Sequence, residues 1–150
     1  METVIFIGMQ ATGKSTFYRD RFFNTHIRIN LDMLKTKRRE QVLVNACIEA
    51  KQRFVIDKTN PTSADRLPYI ALAKANGFGV IGYYFESKIH DALKRNASRL
   101  PEYRIPDVGL LGTHAKLQLP NKGEGFDSLF YVRIGTDNTF LIEEWKDEVR

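Results

Sequence analysis

The stretch IFIGMQATGKSTFYRD, residues 5–20, places two glycines, a lysine and a hydroxyl residue directly after an apolar run. Gly8, Gly13, Lys14 and Ser15 match the pattern G-x-x-x-x-G-K-[ST]. Residues 4–7 are β-branched or aromatic, which is typical of a buried parallel strand, and residues 15–23 can form a short helix. This context predicts a P-loop, in which the backbone N–H groups of residues 9–15 surround an anion at a helix N-terminus.

A P-loop predicts a nucleoside triphosphate as the ligand, with Mg²⁺ as its companion. We expect Lys14 to reach the β- and γ-phosphates and the Ser15 hydroxyl to bind Mg²⁺. The alternative is a glycine-rich turn without a ligand, which the strand before it and the helix after it disfavour. The predicted nucleotide-binding residues of the loop are Gly8, Ala11, Thr12, Gly13, Lys14, Ser15 and Thr16.

Composition and charge indicate one globular domain with an anionic partner. The 150 residues are 43% hydrophobic and carry a net charge of +5, which suits an acidic partner or a nucleotide. Cys47 is the single cysteine, so an internal disulfide is excluded and a reducing compartment is favoured. No apolar run reaches membrane-spanning length, and the first eight residues lack a basic signal segment. We therefore expect a cytoplasmic protein without a membrane partner.

Short strand-like runs alternate with amphipathic helical windows along the chain. This alternation predicts an α/β fold, a three-layer P-loop NTPase sandwich with a parallel sheet of about five strands and helices on both faces. We expect a single domain over residues 1–150. Strands are predicted at residues 4–7, 27–30, 53–57, 78–86 and 128–134, and helices at 15–23, 32–51, 60–77, 88–100 and from 106 onward. The tail is open between a strand at Phe140–Ile142 and a final helix through Trp145.

Asp32 follows the second predicted strand in NLDMLK, at the sheet edge where such folds bind ligands. It stands one turn before Lys35, so both side chains are expected on the same side of a helix start. A carboxylate there can accept the proton of an acceptor hydroxyl. It can equally be an N-cap or first-turn aspartate that only stabilises the helix. Position alone leaves both interpretations open.

Three further charged residues are candidates for phosphoryl-transfer chemistry. Asp57 ends the third predicted strand and can hold Mg²⁺ directly or through water, although a purely structural acid is the alternative. Arg95 and Arg99 stand four apart in KRNASR, which predicts one helix face. Two guanidinium groups there can cover the nucleotide phosphates as a lid near residues 88–100. A solvated basic face is the alternative.

A basic run follows Asp32 and is a candidate acceptor site. We assign acceptor contacts to Asp32, Lys35 and Arg38, while a solvated surface is the alternative for the charges. The members of the run are Lys35, Lys37, Arg38 and Arg39.

Taken in order, the motifs resemble those of P-loop polynucleotide kinases: GMQATGKST, INLDMLK, FVIDKTNPTSADR, KRNASR and IPDVGLLGTHAKLQLPNKGEGFDSLFYVRI. The resemblance is to the kinase domain of phage-type 5′-hydroxyl polynucleotide kinase and its animal DNA-repair relatives, over nearly the whole chain. It implies ATP- and Mg²⁺-dependent transfer of the γ-phosphate to a 5′-hydroxyl end of DNA or RNA. It further implies that Asp32 is the general base, that Arg99 contacts the ATP phosphates, and that Arg95 is the first arginine of an R-N-x-x-R lid.

Two departures from that pattern leave the acceptor open. The family arginine three residues after the base is Lys35 here, which keeps the charge but loses the bidentate fork. The usual D-N-T-N is D-K-T-N, with Lys58 in place of asparagine. A small-molecule kinase acting on a nucleoside, sugar or antibiotic is the first alternative, and an ATP-binding switch with little turnover is the second. The accompanying phosphatase or ligase domains are not seen in the sequence, so we expect a separate end-processing or ligase partner.

Overall fold

The computed structural model describes residues 1–147 and has a sheet of six strands within them. The spatial order is β2-β3-β1-β4-β5-β6, with parallel pairing from β2 to β5 and an antiparallel β6. The predicted α/β class is confirmed, and the sheet has one strand more than the five expected. The strands are β1 Glu2–Ile7, β2 Ile27–Ile29, β3 Phe54–Ile56, β4 Gly79–Phe85, β5 Ser128–Ile134 and β6 Phe140–Glu144.

Helices cover both faces of this sheet, as predicted. They are α1 Lys14–Arg21, α2 Leu31–Leu34, α3 Lys37–Ala50, α4 Ser63–Ala75, α5 Ile89–Ala97 and α6 Asp107–Lys116, and two 3₁₀ turns lie at Pro101–Tyr103 and Lys122–Glu124. Successive side chains of β1 point to opposite faces. Ile5 and Ile7 therefore join one buried cluster, whereas Val4 and Phe6 join the other, which α1 covers.

The single helix predicted over residues 32–51 is wrong, because the chain breaks at Lys35. That residue ends α2 with a φ of 76°, outside helical geometry. The Thr36 hydroxyl then accepts a hydrogen bond from the Arg39 backbone N–H at 3.2 Å and caps a new helix. Lys35 therefore does not share a continuous helix with Asp32, and the expected common face is lost.

The tail forms a strand, which decides between the two alternatives for residues 140–145. Phe140 at the start of β6 packs edge-on against Phe17 of α1, with ring centroids 5.1 Å apart. The same ring contacts Gly13, where an added Cβ would lie only 2.9 Å from Phe140 Cε1. The last strand thus packs against the loop at residues 8–15.

Within residues 1–147, no helix has the length and apolarity needed to cross a bilayer.

Candidate active site

The strand–loop–helix unit predicted at residues 4–23 is present, and the ends of β3 and β4 hold the loop. The Gly8 N–H donates to the Thr59 carbonyl at 2.9 Å, and the Met9 N–H donates to Ser87 Oγ at 2.9 Å. Gly13, with a φ of 96°, precedes the first residue of α1. The left-handed backbone at Gly13 is strained for any residue with a Cβ. These contacts fix the loop that the sequence assigns to phosphate.

Three other loop residues differ in what their side chains do. Thr12 is buried, and its hydroxyl donates to the Met9 carbonyl at 2.8 Å, so the side chain serves the loop itself. Ala11 is also buried and takes a φ of 62°. Thr16 is exposed and accepts a hydrogen bond from Arg19 at 3.3 Å. Ala11 and Thr12 can therefore bind a nucleotide only through their backbone N–H groups, whereas Thr16 can also use its exposed hydroxyl.

Lys14 is the point on which the charged residues converge. Its ammonium donates to the Gly8 carbonyl at 3.0 Å and to the Met9 carbonyl. Burial lowers the pKa of Lys14 from 10.5 to about 8; Arg99 adds to this effect, while Asp57 and Asp32 oppose it. Electrostatic effects of this kind require proximity. The structure thus brings residues from α2, from the end of β3 and from beyond α5 to the P-loop lysine.

The two predicted Mg²⁺ ligands are bridged by an arginine that the sequence reasoning missed. Arg28 Nε lies 2.7 Å from Asp57 Oδ2, and Arg28 Nη2 donates to Ser15 Oγ at 3.0 Å. The Asp57 side chain is only 2% exposed. The available signal was a charged residue between two isoleucines in the short apolar strand β2.

Ser15 and Asp57 fit a Mg²⁺ site by their chemistry. Both offer hard oxygen donors, and one guanidinium reaches both, so their oxygens are close enough to share a cation. Among residues 1–147 there is no cluster of three acids, histidines or cysteines that would hold a metal by itself. Mg²⁺ commonly takes one or two protein ligands and completes its shell with substrate phosphates and water.

Asp32 lies in the first turn of α2 and is not its N-cap. That role belongs to Asn30, whose Oδ1 accepts from the Met33 N–H at 2.9 Å. Asn30 Nδ2 also donates to the Asp57 carbonyl at 2.8 Å, which ties the start of α2 to the end of β3. The Asp32 carboxylate is exposed and has no hydrogen bond or ion pair to another part of the described chain. It is therefore free to face an acceptor. The N-cap interpretation is wrong, whereas the first-turn position that the alternative also allowed is the one observed.

The predicted lid has a different geometry from the one expected. Helix α5 ends at Ala97, so Arg99 lies beyond the helix and does not share a helix face with Arg95. The Arg99 backbone is held by its carbonyl, which accepts from Arg104 Nε at 2.8 Å, and burial lowers the pKa of its guanidinium. Arg95 instead lines an open groove of about 390 Å³ along α5. Arg99 lies within electrostatic range of Lys14.

Two polar residues that the sequence reasoning missed fix the segments that follow this lid. Asn96 is buried, and its Oδ1 accepts from the Ile105 N–H at 3.0 Å, which folds the segment after α5 back onto the helix. Gln10 in the P-loop donates from Nε2 to Thr113 Oγ1 on α6 at 3.0 Å. The signal for Asn96 was its place as the asparagine of the R-N-x-x-R motif.

Lys58, the departure in D-K-T-N, takes part in helix packing. Its ammonium lies 3.3 Å from Glu40 Oε1 on α3 and 2.8 Å from the Tyr69 hydroxyl on α4. Tyr69 also donates to Glu40, and burial together with this carboxylate raises the pKa of the Tyr69 phenol. The Lys58 charge therefore neutralises a buried carboxylate between two helices.

The basic run after Asp32 lies on the surface. Lys35, Lys37, Arg38 and Arg39 are all exposed. Arg39 also donates from Nη1 to the Leu34 carbonyl at 3.2 Å, which places its guanidinium over the break between α2 and α3. The run thus presents positive charge to solvent directly after Asp32.

Fold and loop together define the class: an α/β domain of the P-loop NTPase type. The structure of Kti12 from Chaetomium thermophilum in complex with ADP-AlF3 has this fold, with a TM-score of 0.67 at 13% identity, over 91% of this chain and 92% of that chain. No protein-family model matches the sequence.

The sequence is similar to two curated proteins that carry polynucleotide kinase in their names. The chain is 28% identical over 135 residues to the bifunctional polynucleotide phosphatase/kinase of Schizosaccharomyces pombe, covering 85% of this chain and 32% of that protein. It is 25% identical over 154 residues to a putative bifunctional polynucleotide phosphatase/kinase of Acanthamoeba polyphaga mimivirus, covering 97% of this chain and 36% of that protein. The chain thus spans about a third of the length of these relatives. The resemblance that the motifs predict is confirmed.

Proposed function

We propose that this domain is an ATP-dependent kinase that transfers the γ-phosphate to a 5′-hydroxyl end of DNA or RNA. The observation that carries the proposal is the P-loop held at the ends of β3 and β4, with Lys14 inside it and Asp57, Asp32 and Arg99 within electrostatic range. Phosphoryl transfer needs a phosphate cradle, a metal ligand, a base for the acceptor and a cation for the migrating group. These residues supply each function from a different segment of the chain.

Each group of site residues has a separate role in the proposed reaction. The loop N–H groups and Lys14 bind and orient the phosphates, and Ser15 and Asp57 hold Mg²⁺. When bound, Mg²⁺ neutralises charge on the β- and γ-phosphates. Asp32 accepts the proton from the 5′-hydroxyl oxygen as that oxygen bonds to the γ-phosphorus, while the bond from this phosphorus to the β–γ bridging oxygen breaks and ADP leaves. Arg99, with Arg95 on the adjoining helix, stabilises the charge of the migrating phosphoryl group.

Exposure on the acceptor side supports a polynucleotide over a small molecule. Asp32, Lys35 and Arg38 are exposed, as an acceptor that extends beyond a closed pocket requires. The positive charges beside Asp32 suit the backbone phosphates that follow a 5′ end. Lys58 does not bear on the acceptor, because it is engaged with Glu40 and Tyr69.

A role in nucleic-acid end repair is part of the proposal, and the names of two curated relatives support its kinase step. One is named a bifunctional polynucleotide phosphatase/kinase and the other a putative one, and the similarity spans about a third of each. We therefore assign the kinase step to this domain, and an end-processing or ligase partner is part of the proposal. A reducing, cytoplasmic location is part of the proposal, because Cys47 is a buried free thiol.

The test offers γ-labelled ATP and Mg²⁺ with a panel of acceptors. The panel contains 5′-hydroxyl DNA and RNA, as single strands and duplex ends, the same oligonucleotides with a 5′-phosphate, and free nucleosides. We expect label on 5′-hydroxyl oligonucleotides only, and none with Lys14→Ala. Label on nucleosides alone would replace the proposal with a small-molecule kinase, and ATP binding without any transfer would replace it with a switch module.

A further inference from the structure

Arg28 is the residue at the site to which neither the motif pattern nor the proposed roles assign a function. It lies in the middle of β2, and its side chain is 29% exposed. One guanidinium contacts Asp57 Oδ2 at 2.7 Å and Ser15 Oγ at 3.0 Å. These are the two oxygens assigned to Mg²⁺, so the arginine and the metal compete for the same acceptors.

We infer that Arg28 controls when the metal binds, by holding Ser15 and Asp57 until a nucleotide arrives. A Mg²⁺ ion on the same oxygens would lie within a few ångströms of the guanidinium, and two cations at that separation repel. The metal therefore has to displace Arg28 from Asp57. This inference rests on the proposed function, because it takes Ser15 and Asp57 as the metal ligands.

Burial explains why such a cation is needed in the nucleotide-free protein. The Asp57 carboxylate is 2% exposed, and an ionised carboxylate without a partner is unfavourable there. Arg28 supplies the charge and a hydrogen bond. Nucleotide phosphates add ligands for Mg²⁺, so metal and nucleotide together can replace Arg28 where the metal alone binds weakly.

The displaced side chain can move without opening the core. Arg28 Cζ lies 5.9 Å from the centre of the Tyr18 ring, which gives the guanidinium an aromatic face as a second partner. Its partial exposure also leaves a path to solvent. Asp57 has no such freedom, because its backbone N–H donates to Ile29 and its carbonyl accepts from Asn30. The arginine is thus the mobile member of the pair.

The test measures Mn²⁺ binding to the full chain by electron paramagnetic resonance, without nucleotide and then with ATP. Arg28→Gln is compared with wild type and with Arg53→Gln, which removes an exposed arginine at the opposite end of the neighbouring strand. We expect Arg28→Gln to bind Mn²⁺ without nucleotide about tenfold more tightly than wild type, within the usual range for coupled sites. Arg53→Gln should match wild type, and Arg28→Gln combined with Asp57→Asn should lose the gain.

Thermal unfolding provides a second readout. In EDTA, Arg28→Gln should melt below wild type, and Mn²⁺ alone should raise its melting temperature more than that of wild type. If Arg28→Gln does not fold, Arg28→Lys takes its place, because it keeps the charge without the two-point bridge. Its affinity for Mn²⁺ should lie between that of wild type and the tenfold tighter affinity expected for Arg28→Gln. Unchanged or weaker Mn²⁺ binding in the folded Arg28 variant overturns the inference. Absence of Mn²⁺ binding to wild type even with ATP overturns the proposed function itself.

Discussion

The low pKa of Lys14 makes the stability of the nucleotide-free protein depend on pH in an unusual direction. The group loses its proton near pH 8 in the folded state and near its ordinary value of 10.5 in the unfolded state. Between these values the unfolded chain binds more protons, so the free energy of unfolding rises with pH. The two pKa values correspond to about 3 kcal/mol over this range. Below pH 8 the contribution is constant, and the charged lysine is at its most destabilising.

The perturbation that isolates this effect is Lys14→Met, which keeps the stem and removes the charge. Urea unfolding at intervals from pH 7 to 10.5 gives the free energy of unfolding of both proteins. We expect the variant to be the more stable protein near pH 7 and to lose about 3 kcal/mol of that advantage by pH 10.5. A difference between the two proteins that stays constant with pH would refute the burial argument.

Nucleotide binding provides an independent check on the same lysine. ATP phosphates favour the charged ammonium, so binding should take up about 0.8 proton at pH 8.5 and about 0.1 at pH 7. Calorimetry in two buffers with different ionisation heats measures this uptake. Equal uptake at both pH values, or the same uptake in Lys14→Met, would contradict a pKa near 8.

Two further substitutions test the acceptor side and the Lys58 packing. Lys35→Ala should weaken oligonucleotide binding similarly for every end sequence and flatten the log–log salt dependence by up to about 0.7, the value for one single-strand phosphate. Lys51→Ala is the matched control, because this lysine is also an exposed helix C-cap with positive φ. If both variants show the same salt dependence of oligonucleotide binding, Lys35 is not part of the acceptor site. Lys58→Asn, which restores the usual family residue, should leave acceptor affinity unchanged and lower the free energy of unfolding by about 1–3 kcal/mol, because Glu40 loses its cation. A changed acceptor affinity at full stability would contradict the packing role.

The parts of the fold that the sequence predicts are those with local signals. The P-loop pattern and the β-branched strands each depend on residues close together in the chain. The break at Lys35 was missed because the helical spacing of apolar residues continues past it, and this spacing predicts one uninterrupted helix. Only the competing cap at Thr36 marks the break. The fate of the tail depended on Phe140 meeting α1, a contact between residues more than a hundred positions apart.

The site residues that could be predicted are those whose motif position fixes both the residue type and its chemical role. Lys14 and Ser15 are of this kind. Arg28 was not, because its partners come from other elements, Ser15 from α1 and Asp57 from the residue after β3, and the pairing appears only when β2 lies beside β3. Arg99 was predicted as a lid residue, but the helix face predicted for it with Arg95 was wrong, because α5 ends at Ala97 and the segment after it folds back onto Asn96.

The most direct test of the central claim is single-turnover phosphoryl transfer to a 5′-hydroxyl oligonucleotide by wild type and Asp32→Asn at saturating ATP. Asp20→Asn, an exposed aspartate on α1, is the control for charge. We expect Asp32→Asn to transfer on the order of a hundredfold or more slowly, the usual scale for a lost general base, with ATP affinity unchanged. The control should transfer at the wild-type rate. Wild-type transfer by Asp32→Asn, or a loss explained entirely by weaker ATP binding, would contradict the account.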